Sequence, residues 1–128
     1  MRILFTAILL LISGTIFPMD ISDDIAAAIR SGNAKQISGF FSDNVDLKII
    51  DKEGVYSKSQ AELIVKDFFA KHTVKSFTIG HKSAANNGSL YSIGTLETSN
   101  GKYRIYFLLK KGSEKTFIQQ FRIETENE

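Results

Sequence analysis

The chain has 128 residues, 43% hydrophobic and 23% charged, with 10 Phe, 1 Pro and no Trp. That suits one globular domain with a phenylalanine-rich core and excludes a disordered chain or a second domain. With no cysteine anywhere, disulfides, thiol nucleophiles, cysteine metal sites and cysteine lipidation are excluded. The formal net charge of +2 includes Arg2, and the basic residues are scattered apart from Lys110, Lys111 and Lys115 around the turn-like "KKGSEK", which reads as a solvated hairpin loop. This argues against nucleic acid because phosphate binding needs a clustered basic face.

In chain order, Met1 and Arg2 precede the apolar run Ile3 to Ile12, which is followed by the small residues Ser13, Gly14 and Thr15. This is the layout of a secretory signal peptide, expected over residues 1–17 with cleavage near Gly14 or Thr15, and it leaves a single domain over 18–128. The run falls short of the roughly 20 apolar residues of a membrane span; an uncleaved anchor is the secondary reading, and no stable span is expected after cleavage.

A first helix follows. Asp20 or Ser22 can cap it, Asp23 and Asp24 suit its positive end, and Gly32 stops it. Its apolar stripe is Ile21, Ile25, Ala28 and Ile29. Asn33, with Gln36 three residues on, opens a short second helix that places Ile37, Phe40 and Phe41 on one face and ends at Ser42 to Asn44. Val45 to Ile50 alternates as a half-buried strand, with Val45, Leu47 and Ile49 inward and Asp46 and Lys48 outward; Asp51 to Gly54 reads as a turn.

In the segment Tyr56 to His72, Ser57 with Gln60 and Ser59 with Glu62 have capping-box spacing. Ala61, Ile64, Val65, Phe68, Phe69 and His72 form the apolar stripe, edged by the pairs Glu62 with Lys66 and Asp67 with Lys71. Four strand-like stretches then run from Val74 to Glu124, separated by "AANNG", "SNG" and "KGSEK". Turn signals of that kind make an antiparallel meander. Helices first and strands last give an α+β domain, with N-terminal helices packed in the concave side of a bent antiparallel sheet of four or five strands.

Strand phase selects the candidate side chains. His81 is in phase with Phe77 and Ile79 and so faces the core with them. Gly94 suggests a bend or bulge. Tyr91, Ile93, Thr95 and Glu97 share one face of their strand and Leu90, Ser92, Gly94 and Leu96 the other, and alternation leaves open which is concave; with the tyrosine face inward, Tyr91 and Glu97 enter the cone. Gln119 shares a face with Phe117, Phe121 and Ile123. The concave side is thus expected to offer His81, Tyr91 and Gln119 to a ligand. The opposite, mixed face carries Arg104, Tyr106, Ile118, Gln120 and Arg122 and is either a solvated surface or a dimer interface. His81, Glu97 and His72 are weak candidates for acid–base chemistry; the plainer readings are a rim histidine, a rim carboxylate and a helix-end histidine. The chain's 2 histidines fit no local metal motif, no glycine-rich phosphate loop is present, and no cofactor is expected.

The stretches "IRSGNAKQISGFFSDNVDL", "YSKSQAELIVKDFF", "FTIGHKS", "YSIGTLETSNGKYRIYFLLK" and "IQQFRIE" together resemble a family of secreted Bacteroidota proteins forming a domain of unknown function. That family is similar in fold to the nuclear transport factor 2-like, or ketosteroid-isomerase-like, superfamily. The resemblance implies a cone of helices within a strongly bent antiparallel sheet. Isomerases and dehydratases of the superfamily place a carboxylate or histidine deep in the cone, whereas the strands here offer only Glu97, near a strand end.

The expected function is therefore a secreted, periplasmic, non-catalytic domain. It would bind a small apolar molecule in the cone, or a protein through the open sheet face carrying Arg104, Tyr106, Gln120 and Arg122, as in a homodimer. The alternative is a small isomerase or hydrolase-like enzyme using His81, with Glu97 or His72 as partner.

Overall fold

The computed structural model describes residues 20–85 and 87–126; the expected leader lies outside them. α1 (Ile21–Ser31) starts where the Ser22 N–H donates to the Asp20 carboxylate at 2.8 Å, and ends at Gly32, whose φ of 64° is the left-handed cap. It buries Ile25, Ala26, Ala28 and Ile29. α2 (Ala34–Ser38) is capped by Asn33, which accepts from the Gln36 N–H at 3.1 Å.

That second helix is shorter than its pattern suggested. Phe41 opens a strand, β1 (Phe41–Ile49), which absorbs Ser42 to Asn44. Tertiary pairing overrides local preference here. The Phe40 carbonyl accepts from the Ile118 N–H at 2.7 Å, and the Phe41 ring packs 5.6 Å from Phe121.

The turn after β1 is also tighter than expected: it consists of Ile50 and Asp51, and β2 (Lys52–Ser57) follows at once. Gly54 belongs to this strand, opposite Leu47 and close under the Tyr56 ring. Ile50 takes φ 56°, a rare conformation for a β-branched residue, and its N–H is held by the Ile123 carbonyl at 2.9 Å.

α3 (Lys58–Lys71) begins with a capping box, in which the Gln60 N–H donates to Ser57 Oγ and the Ser57 N–H donates to Gln60 Oε1. Asp67 and Lys71 pair at 3.1 Å in solvent, whereas Glu62 turns to the Ser38 hydroxyl.

β3 (Val74–Ala84), β4 (Leu90–Thr98), β5 (Gly101–Lys111) and β6 (Thr116–Thr125) form the meander. The six strands lie in the order β2-β1-β6-β5-β4-β3, antiparallel except for the parallel seam between β1 and β6. Helices cover one face: α1 rests on β3, and α3 on β1 and β2. Between helices and sheet lie the fully buried Phe41, Phe77, Phe107 and Phe121, joined by Phe68 and Phe69 from α3.

Register shifts occur in β1, twice in β3, and between β5 and β6. Such bulges bend a strand and increase its twist, so they supply the curvature that wraps the core. On the outer edge of β3, the Arg30 Nε–H donates to the Phe77 carbonyl at 2.9 Å.

Gly94 is not itself a bulge. It makes room for Phe77: a Cβ there would stand 2.4 Å from Phe77 Cζ and 2.9 Å from the Thr78 carbonyl oxygen. Gly94→Ala is expected to destabilise the domain by about 1–3 kcal/mol through overpacking, which urea denaturation would measure.

Lys82 grips the start of α1, 3.0 Å from Asp20 and 3.5 Å from Asp23. Partial burial pushes the Asp20 carboxyl up, but the Lys82 ammonium and the Ser22 N–H outweigh it and hold the group below its ordinary range. A depressed folded value contributes stability above the unfolded pKa of about 4, and that contribution is lost as pH falls through the folded value. Asp20→Asn keeps a good cap but removes the charge. Its deficit, roughly 0.2–1 kcal/mol at pH 7 for such a half-exposed pair, is expected to shrink below about pH 4; melting curves of both proteins across pH 2–7 (about the carboxylate range) would show whether they converge.

Candidate functional site

The helix-free face of the sheet is built from alternate residues of all six strands. One row, read across the strands from β2 to β3, is Glu53, Lys48, Arg122, Tyr106, Ile93 and His81. The next is Val55, Asp46, Gln120, Leu108, Tyr91 and Ser83. Neighbouring side chains in a row stand about 5 Å apart. Val55 is 73% exposed, and Ile93, Tyr91, Tyr106 and Leu108 are half-buried.

Charges of both signs interleave with these apolar groups. Lys48 meets Glu124 at 3.0 Å, and Arg122 lies 3.7 Å from Asp46 and 3.8 Å from Glu53. Arg104 stands opposite Glu124 in the register of β5 and β6.

Arg104, Tyr106, Gln120 and Arg122 thus share the mixed face, as their alternation suggests. Ile118 does not: it is fully buried among the core residues. The cause is a bulge. Leu109 pairs with Ile118 and Leu108 with Gln120, so Gln119 is the extra residue, exposed and out of phase with Phe121. Gln119 therefore does not line the interior.

The same physics displaces His81. Ile79 pairs with Gly94 and His81 with Ile93, leaving Gly80 unpaired in the ladder. Past that bulge the strand changes phase, so the exposed His81 projects from the helix-free face while Lys82 swings inward to α1. An acid–base role for His81 required a cavity beside the imidazole, and the interior lies on the other side of the sheet.

Tyr91 is likewise on the helix-free face. Its ring lies 6.0 Å from that of Tyr106, over a shallow concavity of about 380 Å³ shared with Gln120, Arg122 and Glu124. Burial, with Tyr106 beside it, pushes the Tyr91 phenol above its ordinary range, so it stays protonated. The residue expected to line the cone instead joins the set expected at an interface.

Glu97 is held by Lys102 at 3.3 Å and accepts from the Ser76 hydroxyl at 3.1 Å; both lower its pKa. It is an ionised surface carboxylate. Along β4 it is four residues from Ile93, the partner of His81, or about 13 Å.

His72 follows α3. Its ring stacks 4.1 Å from Phe68 and meets Tyr103 edge-on at 5.2 Å, and Nδ1 lies 2.8 Å from the Phe68 carbonyl. A carbonyl can only accept, so Nδ1–H donates and the histidine closes the end of the helix. The structure brings no two of His72, His81 and Glu97 into hydrogen-bond contact.

The interior is filled by phenylalanine and aliphatic side chains, while the concavities between elements, about 380 to 540 Å³, open to solvent. Among the described residues no His, Cys, Asp and Glu group could hold a metal ion, and no helix is long and apolar enough to cross a membrane. Sequence reasoning missed β2 and with it Val55 and Glu53; its first half, Lys52 to Gly54, is polar and turn-like, and the β-prone Val55 and Tyr56 are too short a run to mark a strand.

The two histidines should separate by stability. His72→Ala is expected to lose about 1–2 kcal/mol, one hydrogen bond and one ring stack. His81→Ala should fall within about 0.5 kcal/mol of the parent, as for an exposed side chain without partners; equilibrium denaturation of both variants gives the comparison.

Comparison with known proteins finds a family described as Domain of unknown function (DUF4783), matching residues 22–124. A DUF4783 family protein from Bacteroides uniformis ATCC 8492 superposes with a TM-score of 0.78 at 31% identity, covering 85% of this chain and 100% of its own. One from Bacteroides ovatus ATCC 8483 gives 0.75 at 31% identity, covering 81% of this chain and 94% of its own. A domain with a cystatin-like fold from Nostoc punctiforme gives 0.66 at 12% identity, covering 82% of this chain and 72% of its own; at that distance the likeness is one of fold alone. No functionally curated protein matches the chain.

Proposed function

This chain belongs to the DUF4783 family of domains of unknown function, and from its nuclear transport factor 2-like cone we propose a secreted, periplasmic, non-catalytic module that binds protein through its helix-free sheet face. The partner of choice is a second copy of the chain. The observation that carries the reading is the contrast between the two sides of the sheet. The inner side is closed by packed Phe41, Phe68, Phe69 and Phe121, while the outer side presents Tyr91, Tyr106, Ile93, Leu108 and Val55 among charges of both signs.

A filled interior favours a protein over a small apolar ligand as the bound species. The exposed His81, with Glu97 ion-paired elsewhere, gives the isomerase or hydrolase-like alternative no geometric support. Tyrosine and arginine are enriched in protein interfaces, and here they occupy the centre of the face. Interleaved acids and bases make that face self-complementary: a twofold rotation can set Arg104 and Arg122 against Asp46, Glu53 and Glu124 of the other copy. Six strands span roughly 24 Å and the alternating rows run roughly 25 Å, a footprint of about 600 Å² that approaches the ~800 Å² per partner of a standard interface.

The export part of the reading rests on the apolar run after Arg2, and an intact mass of the protein from its own host would show whether residues 1–17 have been removed. For the interface, light scattering of the mature domain is expected to give a dimer. Tyr106→Glu combined with Leu108→Glu should convert it to a monomer with unchanged circular dichroism, because it places like charges across the twofold. A wild-type protein that stays monomeric at high concentration would sink the homodimer.

A further inference from the structure

β1 and β6 pair at Phe41 with Ile118 and again at Asp46 with Gln120. Four residues of β1 thus stand opposite one residue of β6, Gln119, and the two strands part. Ser42 pins the arched segment, its hydroxyl donating to the Asn44 carbonyl and lying 3.2 Å from the Ile118 carbonyl. Asp43 and Asn44 are left exposed. Across the gap the β5–β6 hairpin supplies Lys110, paired in register with Phe117, and Lys111.

Between these walls lies an open cleft of about 460 Å³, lined by Asp43, Asn44, Gln119, Lys110, Lys111 and Phe117 among others. That volume is within the usual range for small-molecule sites, roughly 300–1,000 Å³. Bulges gather at such sites because they re-aim side chains, and here two of them face each other.

We propose that this cleft binds a small carboxylate that also carries hydroxyl or amide donors. Among the described residues neither Lys110 nor Lys111 is in an ion pair, so both ammonium groups are available to an anion. Lys115, 5.2 Å above the Phe117 ring, adds positive potential from the side, against the exposed Glu114 of the same hairpin. On the opposite wall the Asp43 carboxylate accepts only, and the Asn44 and Gln119 amides accept and donate. The lining charge of two lysines and one aspartate suits a monoanion, with its carboxylate toward the hairpin, its donors toward β1 and its apolar flank on Phe117. Two sources carry this chemistry, an acidic sugar and the C-terminal end of a short peptide.

The test is an amide chemical-shift titration of the full mature domain with D-glucuronate and with N-acetyl-alanyl-alanine, each beside its neutral carboxamide, and with acetate. Saturable shifts at Ser42, Asp43, Asn44, Lys111, Gly112 and Gln119 with one acid or both are expected, and which acid acts identifies the source. Affinity should drop roughly tenfold for the carboxamide and in the Lys110→Gln, Lys111→Gln double variant, the scale of one charge-assisted hydrogen bond. Both lysines are exposed, so the variant's spectrum elsewhere should match the parent and confirm its fold. No saturable shift with either acid, equal binding of acid and carboxamide, binding unchanged in the double variant, or acetate binding as tightly as the larger acids would each overturn the proposal.

Discussion

Everything else in this fold depends on the parallel seam between β1 and β6. The meander from β3 to β6 is held by neighbouring antiparallel pairs, and β1 with β2 is a hairpin of its own. Only the seam joins the N-terminal half to the last strand within the sheet. It is sealed at one end by the backbone bond from Ile118 to Phe40 and at the other by the bond from Ile50 to Ile123, with Phe41 against Phe121 beneath and Lys48 against Glu124 above. These contacts link residues more than 70 positions apart, so closing them costs more chain entropy than the short hairpins of the meander do. The rare backbone of Ile50 is tolerated because that bond over-determines it.

Much of this architecture was readable from local chemistry. Asp20, Asn33 and Ser57 each cap a helix as their spacing implies, Gly32 stops α1, and Val45, Leu47 and Ile49 point inward. Those signals act over three or four residues and need no distant partner. Phe41 and β2 were not readable, because what makes Phe41 a strand residue is Ile118, far along the chain. Periodicity and turn signals supplied helices against a bent antiparallel meander, and the resemblance agreed with it; the sixth strand, β2, came from neither.

In β3 and β6 the candidate site was legible up to the bulge and not beyond it, and in β4 alternation alone did not say which face was the inner one. Phe77 and Ile79 sit on the face their alternation gives, and so do Tyr106, Gln120 and Arg122. One extra residue at Gly80 and another at Gln119 invert every side chain between the bulge and the strand end. His81 therefore moved from an expected ligand pocket to the open face, and Ile118 moved from the face to the core. Tyr91, on the unbulged β4, keeps its alternation with Ile93 and Glu97 and lies outward because that whole face of β4 is the helix-free one. A bulge carries little local signature when the extra residue is an ordinary glutamine, so strand phase is a short-range ruler.

The bond from Arg30 to the Phe77 carbonyl bears on how copies of this molecule can meet. β3 is an edge strand of eleven residues, long enough to template another strand. Arg30 occupies one of its outward carbonyls, the bulge at Gly80 breaks its ladder, and the opposite edge, β2, is only six residues long. Pairing of the β2 edge of one copy with the β3 edge of the next is a heterologous contact that propagates into a fibre, whereas a twofold contact between like faces closes after a single pairing. By occupying that carbonyl, a single arginine on the first helix removes part of the template that an incoming strand would need.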